Sequence, residues 1–268
     1  MTISGISVYR LSIPMVPFTI ATGTMDYAQN IFIRIHTPNG MYGVGECSAF
    51  PMIVGETQST CYAMAQDFAR IWQGKQALDI AARMRELHDF TAGNSTIKSA
   101  FDMALYDLAA KHAGLPLFEF LGGKERKLLE TDLTIGIGKP AEMVEQALRF
   151  IKNGVRIIKI KLGKSPVEDI ERVKQIREAV GPDIILRIDA NQGWDPAGAA
   201  TALAAMGPYN IQFCEQPMRT YNDHLLPALH QSSPVPIMAD ESVYDHHDAE
   251  RLIRTKSCSS VNIKFSKT

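Results

Sequence analysis

Cysteine is scarce in this sequence: Cys47, Cys61, Cys214 and Cys258 stand far apart, with no C-x-x-C spacing among them. That argues against zinc ligation and a disulfide framework, and leaves buried reduced thiols that behave as small hydrophobes. No apolar run approaches the roughly 18 to 20 residues that span a bilayer. The opening MTISGISVYRLSIP alternates like a strand and lacks the basic-then-apolar order of a secretory leader. Neither sign of charge is in excess, with a formal net charge of −1 and a pI near 6.7. Nothing therefore draws the chain electrostatically to nucleic acid or to an anionic membrane. No glycine-rich phosphate fingerprint follows any candidate strand, which weighs against nucleotide binding. The chain reads as soluble and cytoplasmic, with a small-molecule substrate, no nucleic-acid or membrane partner, and a homo-oligomeric state.

What is present is apolar residues in quantity. At 268 residues and 46% hydrophobic, the chain can bury at least one large core and fits one or two domains. The first part reads as α+β. Residues 3–13 and 30–36 alternate with the period of strands, and Thr37-Pro38-Asn39-Gly40 supplies a turn before YGVGEC. Between Ser95 and Ala113, the residues Ile97, Phe101, Ala104, Leu105 and Leu108 fall three or four apart, predicting one helix stripe. Asn94 or Ser95 can cap its start, and Gly114-Leu115-Pro116 stops it. Gly122-Gly123 followed by KERK marks a boundary, so residues 1–125 form one expected domain and 126–268 the other.

After about residue 130 a βα rhythm takes over. Candidate strands are 131–137, 155–162, 183–190, 211–217, 235–241 and 259–265, with amphipathic helices such as 166–180 between them. Parallel strands joined by crossover helices follow from that alternation, as a doubly wound sheet or a TIM-type barrel.

Chemistry concentrates at the strand ends. In Ile158-Lys159-Ile160-Lys161-Leu162 the lysines share one face and the aliphatics the other. On an exposed strand this would only put lysines in water. Here helices cover one face, which must be apolar, so both lysines point inward, where an ammonium needs partners. The next three strands end in Asp189, Glu215 and Asp240. One such acid can be a helix cap; three at the same place in successive units converge at the rim where barrel active sites lie. Carboxylates without histidine or thiol suit Mg²⁺. Lys264 on the sixth strand would stand half a ring of eight from Lys161, giving two bases on opposite sides of one carbon. Deprotonation beside a carboxylate builds an enediolate, whose charge a divalent cation stabilises. Cations nearby also disfavour the charged form of a lysine.

The K-x-K at 159–161, the acids at 189, 215 and 240, Lys264, GVGEC, SAFDMALYDLAAKHAGLPLFEFLGG and RIDANQGW together resemble the muconate-lactonizing-enzyme subgroup of the enolase superfamily. Enolase-superfamily sites pair a lysine or histidine base with Mg²⁺. The resemblance implies an α/β chain: an N-terminal α+β capping domain over a TIM-like (β/α)7β barrel, here reaching only its sixth strand. It implies Asp189, Glu215 and Asp240 as Mg²⁺ ligands, and Lys161 and Lys264 as the acid/base pair. Lys159 would assist Lys161 and contact the substrate carboxylate, with Thr134, Thr24 and Phe18 as further substrate contacts. Asn191 and Glu241 would support this set from behind. Two lid loops are implied at Pro17–Asp26 and Ser48–Glu56.

Within the subgroup the wording is most similar to dipeptide epimerases. Those acting on Ala-Glu carry an arginine in the first lid, whereas Phe18–Met25 contains no cation. A small or apolar, Ala-Ala-like dipeptide is therefore the expected substrate. The subgroup's muconate cycloisomerases, o-succinylbenzoate synthases and N-acylamino acid racemases would use the same lysines and metal. The missing seventh and eighth strands imply a piece of a longer protein, or alternatively an inactive metal-binding fragment.

Overall fold

The computed structural model describes residues 1–267. The chain divides into two compact units, one of residues 1–15, 27–128 and those from Lys264 onward, the other of residues 16–26 and 129–263. The sequence sets its boundary at 125/126; the contacts set it at 128/129 and exchange two short segments between the units. No described helix is long and apolar enough to cross a membrane.

The first unit holds most of an antiparallel sheet in the order β1 (Gly5–Ile20), β2 (Gly23–His36), β3 (Tyr42–Ser48). Helices α1 (Pro51–Val54), α2 (Gln58–Trp72), α3 (Ile80–Phe90), α4 (Ser95–Ala113) and α5 (Leu117–Phe120) follow. Ile31, Ile33 and Ile35 alternate inward on β2 against Phe68, Trp72 and the α4 stripe, all fully buried. Each such side chain contributes roughly 1.5–3 kcal/mol by leaving water. Helix α4 lies directly on β3: a Cβ added at Gly43 or Gly45 would meet the carbonyls of Ala104 and Ala100 at 2.1 and 1.9 Å. That close approach is what the two glycines of GVGEC permit.

The second unit is a parallel sheet ordered β4 (Leu133–Ile135), β5 (Ile157–Lys161), β6 (Ile185–Asp189), β7 (Ile211–Glu215), β8 (Ile237–Ala239), β9 (Ser260–Val261). Its crossovers are α6 (Pro140–Lys152), α7 (Pro166–Val180), α8 (Pro196–Met206), α9 (Leu226–Ser232) and α10 (His246–Thr255). Ile158, Ile160, Leu186, Ile188 and Cys214 are fully buried in one cluster with helix residues such as Val173, Ile176 and Leu203. The alternate residues, among them Lys159, Lys161, Arg187 and Asp189, are left to the opposite face. The architecture is α/β, a cap-type antiparallel sheet and six strands of a TIM-like barrel.

Two expectations change. The lid expected at Pro17–Asp26 is strand: β1 continues to Ile20 and β2 begins at Gly23, leaving only Ala21-Thr22 as the turn. Pro14 and Pro17 do not end β1 because it is an edge strand of its sheet, where a missing N–H breaks no ladder. The sixth barrel strand is also shorter than expected. β9 stops at Val261, so strand alternation does not extend to Lys264.

Candidate active site

The register of the parallel sheet brings the polar face together. Lys161 pairs with Asp189 and Asp189 with Glu215 across β5, β6 and β7. Lys161 Nζ donates to Asp189 Oδ2 at 2.6 Å and to Asn191 Oδ1 at 2.9 Å. Lys159 Nζ lies 2.9 Å from the same Asp189 oxygen and 2.7 Å from Glu215 Oε2. Asn191 is fixed in turn, its backbone N–H donating to Asp189 Oδ1 at 2.8 Å and its Nδ2 to Glu241 Oε1 at 3.3 Å. Asp189, Glu215, Asp240 and Glu241 are all buried.

Burial and charge pull these groups apart in proton affinity. Burial alone would raise the Asp189 carboxyl, but the Lys161 and Lys159 charges hold it well below the usual carboxylate range. Burial likewise lowers Lys159, and the Asp189 and Glu215 charges outweigh it and raise it. Glu215 is pushed up to about 7, first by burial and then by the Asp189 charge, with Asp240 adding to the rise. Asp189 and Asp240 are thus close enough to Glu215 to disfavour its ionisation.

A cation fits this donor set in kind. All three acids offer hard oxygens at successive strand ends, and two already share one cationic group, the Lys159 ammonium, between them. Among the described residues, however, no three histidine, cysteine, aspartate or glutamate side chains converge as a finished cage. The physical reason is in the ion pairs: Lys159 occupies the space between Asp189 and Glu215, and Lys161 also engages Asp189.

The other expected residues lie variously. Thr134 is the register partner of Lys159 on β4. Phe18 and Thr24 belong to the β1–β2 hairpin: Thr24 bonds Thr19 hydroxyl to hydroxyl at 2.9 Å, and Thr19 O accepts from Ile137 N–H at 2.9 Å. Phe18 lines a cavity of about 350 Å³ with Gly136 and Met143. Lys264 groups with the first unit, while Lys161 belongs to the second. Lys264 O accepts from Lys267 N–H at 3.0 Å, placing it in a turn. The segment expected as a second lid folds into α1, and Thr57 opens α2 with a capping box through Thr60.

Three residues escape a reading of motifs. Asn262 donates to Glu215 Oε1 at 3.0 Å. Asp169, fully buried, accepts from Gly163 N–H at 2.8 Å, from Trp194 Nε1 at 2.9 Å and from Arg172 at 2.8 Å. The tryptophan of RIDANQGW is thus a pin between the loops after β5 and β6. Those loops touch backbone to backbone, since a Cβ at Gly193 would stand 2.0 Å from Gly163 O. Gln216 is the third. It is buried, with φ of 36°, a left-handed conformation unusual for a side-chain-bearing residue. Asn191 and Gln192 share that region at 41° and 65°. Strain of this kind clusters at functional sites.

Residues 5–122 match the family profile "Mandelate racemase / muconate lactonizing enzyme, N-terminal domain", and residues 142–268 match "Enolase C-terminal domain-like". The chain is 46% identical to a D-Ala-D/L-Ala epimerase of Cytophaga hutchinsonii over 269 residues, spanning all of this chain and 73% of that protein. It is 36% identical to an L-Ala-D/L-Glu epimerase of Clostridium acetobutylicum, spanning all of this chain and 76% of that one. The crystal structure of the Cytophaga hutchinsonii dipeptide epimerase, complexed with Mg and the dipeptide D-Ala-L-Val, superposes with a TM-score of 0.98 over all of this chain and 73% of its own.

Proposed function

The chain belongs to the enolase superfamily, and on that premise we propose that it is a Mg²⁺-dependent epimerase of dipeptides with small or hydrophobic side chains. The observation that carries this reading is the shared grip of Lys159 and Lys161 on Asp189 and Glu215, at the strand ends of a parallel sheet. Support for the substrate comes from the 46% identity to the D-Ala-D/L-Ala epimerase, and for the metal from the Mg in the structure that superposes so closely.

Asp189, Glu215 and Asp240 would hold the metal, which when bound supplies positive charge for the substrate carboxylate as its α-carbon loses a proton. The remaining work falls to the chain. Asn191 Oδ1 holds the Lys161 amine at 2.9 Å, fixing the direction in which it can take the α-proton. Lys159, partly buried and cationic, offers a second positive contact to the substrate carboxylate. Lys264 is assigned the opposite face of the carbon by the family resemblance and not by strand alternation; a proton returned there would invert the centre. Oriented proton transfer of this kind contributes about 10²–10⁴-fold to a rate.

The reading is tested by incubating the protein with Mg²⁺ and a panel of Ala-containing dipeptides in D₂O and following α-carbon deuteration by NMR. Deuterium uptake with conversion between epimers is the expected outcome. Exchange confined to N-acylamino acids would replace the substrate assignment, and exchange with no carbon acid at all would sink the enzymatic reading.

A further inference from the structure

Gln216 uses both ends of its amide on one turn. Its Oε1 accepts from Asp240 N–H at 2.9 Å and Ser242 N–H at 3.2 Å, while its Nε2 donates to Ser242 Oγ at 2.7 Å and Met218 O at 3.1 Å. Its backbone ties the neighbouring strand ends as well: Gln216 N–H donates to Met238 O, and Gln216 O accepts from Gln192 N–H, each at 2.9 Å. One buried residue therefore joins the chain segments that follow β6, β7 and β8; Asp189 and Glu215 end the first two strands and Asp240 directly follows the third.

The tie continues outward. Ser242 Oγ donates to Asp223 Oδ1 at 2.6 Å, Arg251 on α10 meets Asp223 Oδ2 at 3.2 Å, and Arg251 Nη2 donates to Ser242 O at 2.9 Å. Bonds to and from a buried amide are costly to leave unmade, so the turn has few alternatives while Gln216 is in place. The left-handed φ of Gln216 fits the same role, since strain persists only where the surroundings over-determine it.

We propose that Gln216 is the positioning residue of the acid set: it fixes the backbone of Asp240 against Glu215 and Asp189, and through Ser242 and Asp223 braces that arrangement on Arg251. It touches no substrate. The inference rests on the reading of the three acids as metal ligands, and it predicts that cation affinity depends on a neutral amide that ligates nothing. Residues that orient ligands in this way typically change metal affinity by about 10–100-fold when removed.

The test uses the full chain with Mn²⁺ as the probe, its binding followed by electron paramagnetic resonance and its folding by thermal melting. Gln216→Leu keeps the side chain's approximate size without its four hydrogen bonds, and Ser242→Ala removes one of them with less disturbance. Leu203→Ala, a core substitution under α8, serves as a destabilised control. The expected result is a Kd for Mn²⁺ raised about 10–100-fold in Gln216→Leu and by less in Ser242→Ala, with Leu203→Ala within threefold of the unaltered chain. Should Gln216→Leu not fold, Ser242→Ala is read by the same criterion at a threefold threshold. A Kd unmoved in the folded variants, or moved as far by the control, overturns the proposal. If the unaltered chain binds no Mn²⁺, the ligand reading itself fails. Positioning is then decided by amide hydrogen exchange at Asp240 and Ser242, where unchanged protection in the variant refutes it.

Discussion

Lys161 Nζ stands 2.6 Å from Asp189 Oδ2, so the residue assigned as base is ion-paired to a residue assigned as ligand. Asp189 has no solvent exposure, and Lys159 shares its oxygen. Asp189→Asn would leave two partly buried ammonium groups short of a counter-charge. Breaking a buried pair from one side costs roughly 3–5 kcal/mol. The variant should melt well below the parent without any metal, and should bind Mn²⁺ far more weakly. An unchanged melting temperature would mean that water already satisfies both lysines.

Two bases on opposite faces leave a stereochemical signature. Lys161→Ala should lose α-deuteration of one epimer while retaining some for the other, and Lys264→Ala should show the mirror pattern. The readout is the initial exchange rate of each pure epimer in D₂O. Interconversion of both at the parental rate by either variant would contradict the two-base assignment.

On the proposed reading, substrate choice turns on the β1–β2 hairpin. Residues 18–25 present hydroxyls and apolar groups but no cation, and a buried carboxylate without a partner costs several kcal/mol. Ala-Ala-like dipeptides should exceed Ala-Glu in kcat/KM by about tenfold for every 1.4 kcal/mol of missing pairing. An arginine belongs at exposed Thr24 rather than at Gly23, whose φ of 154° disfavours a side chain. Thr24→Arg should therefore narrow the gap to Ala-Glu, measured by steady-state kinetics on both substrates. A parent that already prefers Ala-Glu would show that a cation reaches the pocket from elsewhere.

In the first unit, Asp102 lines a largely apolar cavity of about 670 Å³ with Met103, Tyr106 and Phe265, and burial raises its carboxyl. A raised folded-state pKa means the native state keeps its proton longer than the unfolded chain does. Stability from this group is then lost as pH climbs above the ordinary carboxylate range. Asp102→Asn should melt higher than the parent at pH 7, and the difference should vanish near pH 3.5. Equal differences at both values would assign the effect to something other than this charge.

The positions of the lysines and of the strand-end acids were legible because two patterns coincide there: strand alternation sends residues to one face, and the βα repeat returns each acid to the same level. Cys214, Ile188 and Ile160 occupy the opposite face by the same rule. What escaped depended on neighbours in space. The two-residue length of β9 does not follow the alternating pattern of SSVNIKF. Pro14 reads as a stop until β1 is known to be an edge. Gln216 carries no periodic signal, because its partners Asp240 and Ser242 lie 24 and 26 residues further on.

Gly163 and Gly193 meet with no room for a side chain on either, and Ala21 of the hairpin stands 3.0 Å from where a Cβ on Gly163 would be. Mutational drift is thereby channelled. The loops behind the lysine pair and behind Asp189 can explore almost no sequence at these points. Exposed Thr24 on the hairpin can change without disturbing the acids. A lineage built on this frame would diversify what it recognises at the hairpin long before it altered the reaction it performs. Directed evolution towards new dipeptides should start its libraries at Phe18, Thr22 and Thr24 and leave 163 and 193 untouched.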